Sequence, residues 1–325
     1  GCNLTEINGG MCNTEEDFYK VCRAASILGT LQAGYTDFKF LTKTSKQIFD
    51  REALLGVSIT GWMNNPTILF NANVLKKGAE IVKAVNREVA AIIGINPAAR
   101  TTCVKPSGNA SVLLQTASGI HAEHSPMYIR NVQMNKESEI TQAITRTNPY
   151  MVEESVWSST GSDVVVSFPI LPNKGSKYKE ELLGIKHLEL VKKAQKYWVE
   201  TGTNEDLCAD PGIRHNVSNT IIVDDWDEVE KYVFENRGSF AGISFLAMTG
   251  DKDYNQAPNT AVPTANEMVK EYGNAAVFAS GMVVDALKVF PNLWDAISTA
   301  HGFGLDLSVE SLSLIHISEP TRQIR

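Results

Sequence analysis

The densest gathering of residues able to do chemistry is Arg100 to His124, RTTCVKPSGNASVLLQTASGIHAEH. A strand-like run, Thr101 to Val104, enters a tight turn, Pro106-Ser107-Gly108-Asn109. The apolar Val112, Leu113 and Leu114 then allow a helix to begin. Strand, glycine turn and helix start leave backbone N–H groups unpaired and pointing one way. Lys105 stands at the mouth, and Ser107, Asn109 and Ser111 add short polar side chains. Such a turn can cradle a phosphate. An ordinary βα turn, with Ser107 or Asn109 capping the helix, fits the same residues. No Gly-x-x-x-x-Gly-Lys-Ser/Thr is present, so this is not a Walker loop.

The remaining reactive side chains are scattered. Cys2 precedes Asn3-Leu4 at the start of a strand, where it can face a cleft or be a small buried hydrophobe. Cys12 and Cys22 border a helix start and read as structural. Cys103 reads as core and Cys208 as a loop residue. No Cys-x-x-Cys suggests a zinc knuckle or a thioredoxin motif. His121 and His124 stand three apart around Glu123 with no third ligand nearby, which favours packing or hydrogen bonding over metal binding. No metal site is expected. No Gly-x-Ser-x-Gly elbow occurs. Tyr254-Asn255-Gln256-Ala257-Pro258 follows a strand, where α/β folds place ligands, and equally fits a turn ending at a proline.

The elements that must position these residues alternate. CNLTEI (2–7) reads as a strand. Asn13 or Thr14, with Glu16 or Asp17 three residues on, can open a helix that carries Phe18, Val21, Cys22, Ala25 and Leu28 at helical spacing. Residues 36–50 are polar and read as containing a connecting loop. Further strands are expected at 56–62, 100–104, 163–170, 216–223 and 240–248. Helices are expected at 79–93, where Gly94 and Pro97 end an amphipathic run, and at 188–199, 225–236, 267–290 and 292–300. This alternation predicts a parallel α/β sheet or barrel.

The chain has 325 residues, 43% hydrophobic and 21% charged, enough for a large core. A net charge of −7 argues against nucleic acid or an anionic membrane as partner. No apolar run reaches the ~18–20 residues of a membrane span. Five cysteines, an odd number at low density, favour a reducing cytoplasm over a disulfide scaffold. Residues 311–325, SLSLIHISEPTRQIR, resemble translated sequencing-adapter sequence and are set apart as a non-native tail, leaving 1–310 as the folded piece.

Six segments in order carry a family resemblance: CNLTEI (2–7), REALLGVSITGWM (51–63), VKPSGNASVLL (104–114) with SGIHAEHSPMYIRN (118–131), VVVSFPI (164–170), NVSNTIIV (216–223) and YNQAP (254–258). Together they resemble the C-terminal half of the catalytic chain of ribonucleotide reductase. The nearest likeness is to the monomeric, adenosylcobalamin-dependent class II ribonucleoside-triphosphate reductases. The resemblance implies half of a ten-stranded α/β barrel: five mostly parallel strands with surrounding helices. It implies thiyl-radical conversion of ribonucleoside triphosphates to 2′-deoxyribonucleotides. Cys2 then matches the second redox cysteine, and Pro106, Ser107, Gly108, Asn109, Ala110 and Ser111 match the substrate phosphate loop. The family's radical cysteine sits in a Cys-x-Glu motif. Leu4, two residues after Cys2, excludes that role here, so the radical cysteine and its glutamate are expected outside this chain. The implied cofactor is adenosylcobalamin. The implied partners are the nucleotide substrate, a missing N-terminal half and a thioredoxin-type reductant. The alternative is a non-catalytic nucleotide-binding or scaffold fragment that kept the half-barrel.

Overall fold

The computed structural model describes residues 3–126, 128–147, 149–170, 172–248 and 256–261. In chain order the elements begin with β1 (Leu4–Asn8), α1 (Glu15–Ala33), α2 (Lys43–Glu52) and β2 (Gly56–Thr60). Next come α3 (Pro66–Leu69), α4 (Ala72–Ile93), α5 (Gly108–Leu113), β3 (Tyr128–Asn135) and α6 (Glu139–Thr147). The rest are β4 (Val152–Glu154), β5 (Asp163–Ile170), α7 (Gly184–Ala194), β6 (Thr220–Val223), α8 (Trp226–Glu235), β7 (Ser244–Ala247) and β8 (Asn259–Ala261). They fall into two compact units, one of Gly1–Glu123 with Pro172–Met248, the other of His124–Leu171 with Thr249–Arg325.

The first unit is built on parallel strands. β1 pairs with β2 from Leu4↔Gly56 to Asn8↔Thr60, and β6 with β7 from Thr220↔Ser244 to Val223↔Ala247. Between these pairs runs the extended segment 101–104. It meets β2 through the parallel bridge Val57↔Thr102 and the β6 side through Val104↔Val217. Five parallel chain segments therefore lie in the order β1, β2, 101–104, β6, β7. The strand expected at 100–104 is present only as bridges, because its hydroxyls and carbonyls also bond to the helical side: Thr102 Oγ1 donates to Trp198 O, and Trp198 Nε1 donates to Cys103 O.

α1 packs on β1 and β2, α7 packs on β6, and α4 packs on α1 and on the segment that follows α7. Thr14 caps α1 in a capping box with Asp17, as the spacing predicted. Asn71 caps α4 and Gly94, at φ 75°, ends it. α4 opens at Ala72, earlier than the expected residue 79, because Asn71 supplies a cap eight residues upstream. Buried Ser26 Oγ donates to Val82 O and buried Asn86 Nδ2 to Thr30 Oγ1, joining α1 to α4. Phe18, Trp62, Leu75, Leu188, Trp198 and Ile221 fill the core. α7 ends at Ala194 and continues as a π-turn, Gln195–Glu200.

The second unit departs from the expected parallel arrangement. Its sheet has the order β4-β5-β3-β8, and every pairing is antiparallel. Strand 163–170 is present as β5, but its partners are β3, from Tyr128↔Ile170 to Asn135↔Asp163, and β4. α6 lies in the connection between them. The polar stretch 36–50 contains the expected connecting loop up to Thr42, which caps helix α2. The expected helices at 267–290 and 292–300 lie outside the described residues. No helix among the described residues is long and apolar enough to cross a membrane.

Candidate functional site

The candidate turn sits where segment 101–104 ends. The Lys105 N–H donates to Ser58 Oγ of β2 at 2.9 Å. Ser107 adopts a left-handed conformation, φ 58°, and α5 begins at the next residue. The sequence allowed Ser107 or Asn109 to cap this helix. In the structure no side chain does so. Among the described residues the first amide of the turn with an acceptor is that of Ser111, which donates to Ser107 O at 2.7 Å. Ser111 is itself buried, and its Oγ donates to Gly108 O. Pro106 and Gly108 are exposed and Ala110 is half-buried. The backbone of Asn109 lies in the first turn of α5.

Neighbouring loops hold this turn in place. Ser118 Oγ donates to Pro106 O. Gly119, at φ 53°, brings its backbone so close that a Cβ there would lie 2.5 Å from Lys105 O. Its N–H donates to Thr60 Oγ1, which in turn donates to Ala117 O. Asn8 Nδ2, at the end of β1, donates to Leu114 O. The ends of β1 and β2 thus fix both sides of α5.

Beneath the turn lies a carboxyl the sequence reading did not single out. Glu6 of β1 faces Ser58 across the parallel pairing, and Ser58 Oγ donates to Glu6 Oε1 at 3.1 Å. Burial pushes the Glu6 pKa up to about 7, against the opposing effects of Ser58, Ser107 and Lys105. Ser107 Oγ is buried with no partner at hydrogen-bonding geometry, yet close enough to this carboxyl to lower its pKa. Strand parity separates Glu6 from core-facing Ile7. It does not give the register with Ser58, which comes from a residue 52 positions away.

A second polar cluster braces the loops. Buried Asn64 donates through Nδ2 to Glu123 Oε1 (2.7 Å) and Ser176 Oγ (3.0 Å), and accepts through Oδ1 from Thr116 Oγ1 (2.5 Å) and Ala117 N (2.7 Å). All four valences of one amide are used.

The other sequence candidates separate. Cys2 lies outside the described residues, as do Tyr254 and Asn255. Cys12, Cys22 and Cys103 are buried and Cys208 is half-buried. Burial raises the Cys12 thiol to about 11 and Cys22 well above its usual value, so neither is a ready thiolate. His121 has both ring nitrogens engaged, with Nδ1 on Ser118 O and Nε2 accepting from Thr220 N–H. It ties the turn's supporting loop to β6. Gln256 Nε2 donates to Glu153 Oε1 and Glu154 O, and its Oε1 accepts from Val156 N–H. The described part of that loop therefore clamps the end of β4.

No protein-family model matches the chain. Over 216 residues, 65% of its length, it is 27% identical to a probable adenosylcobalamin-dependent ribonucleoside-triphosphate reductase of Dictyostelium discoideum. Over 213 residues it is 21% identical to the adenosylcobalamin-dependent ribonucleoside-triphosphate reductase of Euglena gracilis. It spans 27% and 28% of the length of these relatives. Its fold matches a crystal structure of a B12-dependent, class II ribonucleotide reductase with a TM-score of 0.67 and 18% identity, over 86% of this chain and 40% of the other. The family resemblance thus holds: this chain is similar in sequence to adenosylcobalamin-dependent ribonucleoside-triphosphate reductases and in fold to a class II ribonucleotide reductase.

Proposed function

We propose that this chain is part of the catalytic chain of a ribonucleotide reductase that converts ribonucleoside triphosphates to 2′-deoxyribonucleotides. Its five parallel segments are one half of the ten-stranded barrel, with residues 1–310 as the native piece. The observation that carries this reading is the turn Pro106–Ser111. It follows the central parallel segment, its helix has no side-chain cap, and Lys105 and Ser107 flank it. Its amides and the Ser107 hydroxyl bind the substrate phosphates, and Lys105 supplies the counter-charge. Cys2 is the second redox thiol, giving its electron and proton at the ribose. Its partner thiol, the radical cysteine and the acid-base glutamate come from the N-terminal half, and a thioredoxin-type protein restores the thiols. The setting is cytoplasmic.

Adenosylcobalamin, named for both relatives, supplies radical generation when bound. Among the described residues no group of three His, Cys, Asp or Glu side chains is placed to hold a metal ion. His121 has both nitrogens engaged, and His187 is 4% exposed with Nε2 on Ile120 O.

The test is calorimetric titration of the chain with inorganic triphosphate. Binding that weakens at least tenfold in Lys105→Gln and falls with added salt supports the reading. Equal binding by both proteins removes the turn from the site.

A further inference from the structure

We propose that Glu6 is the proton-carrying residue of the phosphate turn, and that a polyphosphate settles there only with the Glu6 carboxyl neutral. This rests on the phosphate-binding reading above and adds a regulation to that site. Glu6 reaches the turn from below. Its Oε1 accepts from Ser58 Oγ at 3.1 Å, and the same Ser58 Oγ accepts the Lys105 N–H at 2.9 Å. One serine thus links the carboxyl to the first residue of the turn. On the other side, Ser107 Oγ is buried and has no partner at hydrogen-bonding geometry.

Charge decides which form of Glu6 tolerates a ligand. Among the described residues Lys105 is the charged group that acts on this carboxyl; β2 contributes only the Ser58 hydroxyl and the turn only Ser107. An ionised Glu6 competes with an arriving polyanion for the same lysine and repels it. A neutral Glu6 leaves Lys105 to the ligand and can donate its own proton to Ser107, whose hydroxyl then turns outward. Its pKa near 7 in the free protein makes either form accessible at modest cost. A bound polyanion raises that pKa further, so binding takes up a proton. Above pH 7 affinity falls by up to tenfold for each pH unit while the bound carboxyl stays neutral.

The experiment is titration of the full chain with inorganic triphosphate between pH 6 and pH 9, for wild type and Glu6→Gln. The amide keeps the shape and cannot ionise, so the variant also removes the probe's own titration from the comparison. The inference expects wild-type affinity to fall at least tenfold more than that of Glu6→Gln across this range. Parallel pH profiles, with triphosphate binding intact in both, overturn the role of Glu6 and leave the phosphate turn standing. No binding by wild type at any pH overturns the turn and the inference together. If the variant does not fold, the carboxyl carbon of Glu6 is followed by NMR in wild type. A midpoint that rises by a pH unit or more on adding triphosphate supports the inference, and an unmoved midpoint overturns it.

Discussion

His187 and Glu6 titrate in the same window with opposite consequences. His187 is buried with its Nε2 on Ile120 O, and burial, with a smaller effect of nearby His121, lowers its pKa from 6.5 to about 4. The unfolded chain therefore binds the proton more readily between these values. Stability from His187 is complete above pH 6.5 and is lost as pH falls toward 4, by up to ~3 kcal/mol. Glu6, raised from 4.5 to about 7, does the reverse: its folded form holds the proton more tightly, so stability falls as pH rises through that range. We expect urea midpoints of Glu6→Gln to exceed wild type at pH 8 and to converge with it near pH 4.5. His187→Gln should flatten the acid side between pH 6.5 and 4. Neither residue was legible as a titrating group in sequence. Glu6 sits in a strand-like CNLTEI beside alternating polar residues, and its raised pKa comes from burial in the folded chain, which the segment does not state. The turn residues were legible because Pro106, Gly108 and the serines state a local conformation in their own types.

At the scale of elements, the supports of the turn matter more than the turn itself. α5 has six residues and no side-chain cap, so its position depends on the loops around it. Asn64 joins residues 116–117, Glu123 and Ser176 through four hydrogen bonds. Removing it strips a donor from a buried carboxyl and leaves the buried Thr116 hydroxyl and Ala117 N–H without their shared acceptor. Asn64→Ala should cost about 3 kcal/mol in thermal or urea unfolding, with Asn64→Asp worse because it places a second carboxylate against Glu123. Gly119→Ala should cost about 2 kcal/mol from its positive φ and the approach to Lys105 O, and should weaken triphosphate binding by displacing the turn. Helices α1, α4 and α8 were readable because caps and apolar spacing are local. β3 and β4 were not, since β3 mixes Arg130, Asn131 and Gln133 with its apolar residues and makes its sheet through β5, some thirty-five residues on. The parallel order was inferred from alternation, and that rule held only where helices cross between strands.

At the scale of the molecule, the parallel array among the described residues ends at β7. β7, the last strand of the order among the described residues, is exposed along its length, and Phe245, Leu246, Met248 and Trp226 present apolar surface beside it. A strand edge with no partner among the described residues and with apolar neighbours favours association with further strands. The missing chemistry points the same way. Two positions beyond Cys2, Cys12, Cys22, Cys103 and Cys208 stand Leu4, Thr14, Ala24, Lys105 and Asp210, so no cysteine here has the Cys-x-Glu context of a radical site. Cys208 is followed by an acid, but its Sγ donates to Ala99 O and Asn204 O and the segment is tied back by Arg100, which bonds to Ile213 O and to Glu52. It is a braced loop, and burial raises its thiol rather than activating it. We therefore expect residues 1–310 alone to produce no deoxyribonucleotide when supplied with ribonucleoside triphosphate, adenosylcobalamin and a dithiol. Co-expression with a matching N-terminal half should give a one-to-one complex by analytical ultracentrifugation, and turnover that Cys2→Ser abolishes. Turnover by residues 1–310 alone would remove the need for a second half and with it the assignment of Cys2 as the second redox thiol. A complex whose turnover survives Cys2→Ser would keep the half-barrel and discard only the thiol.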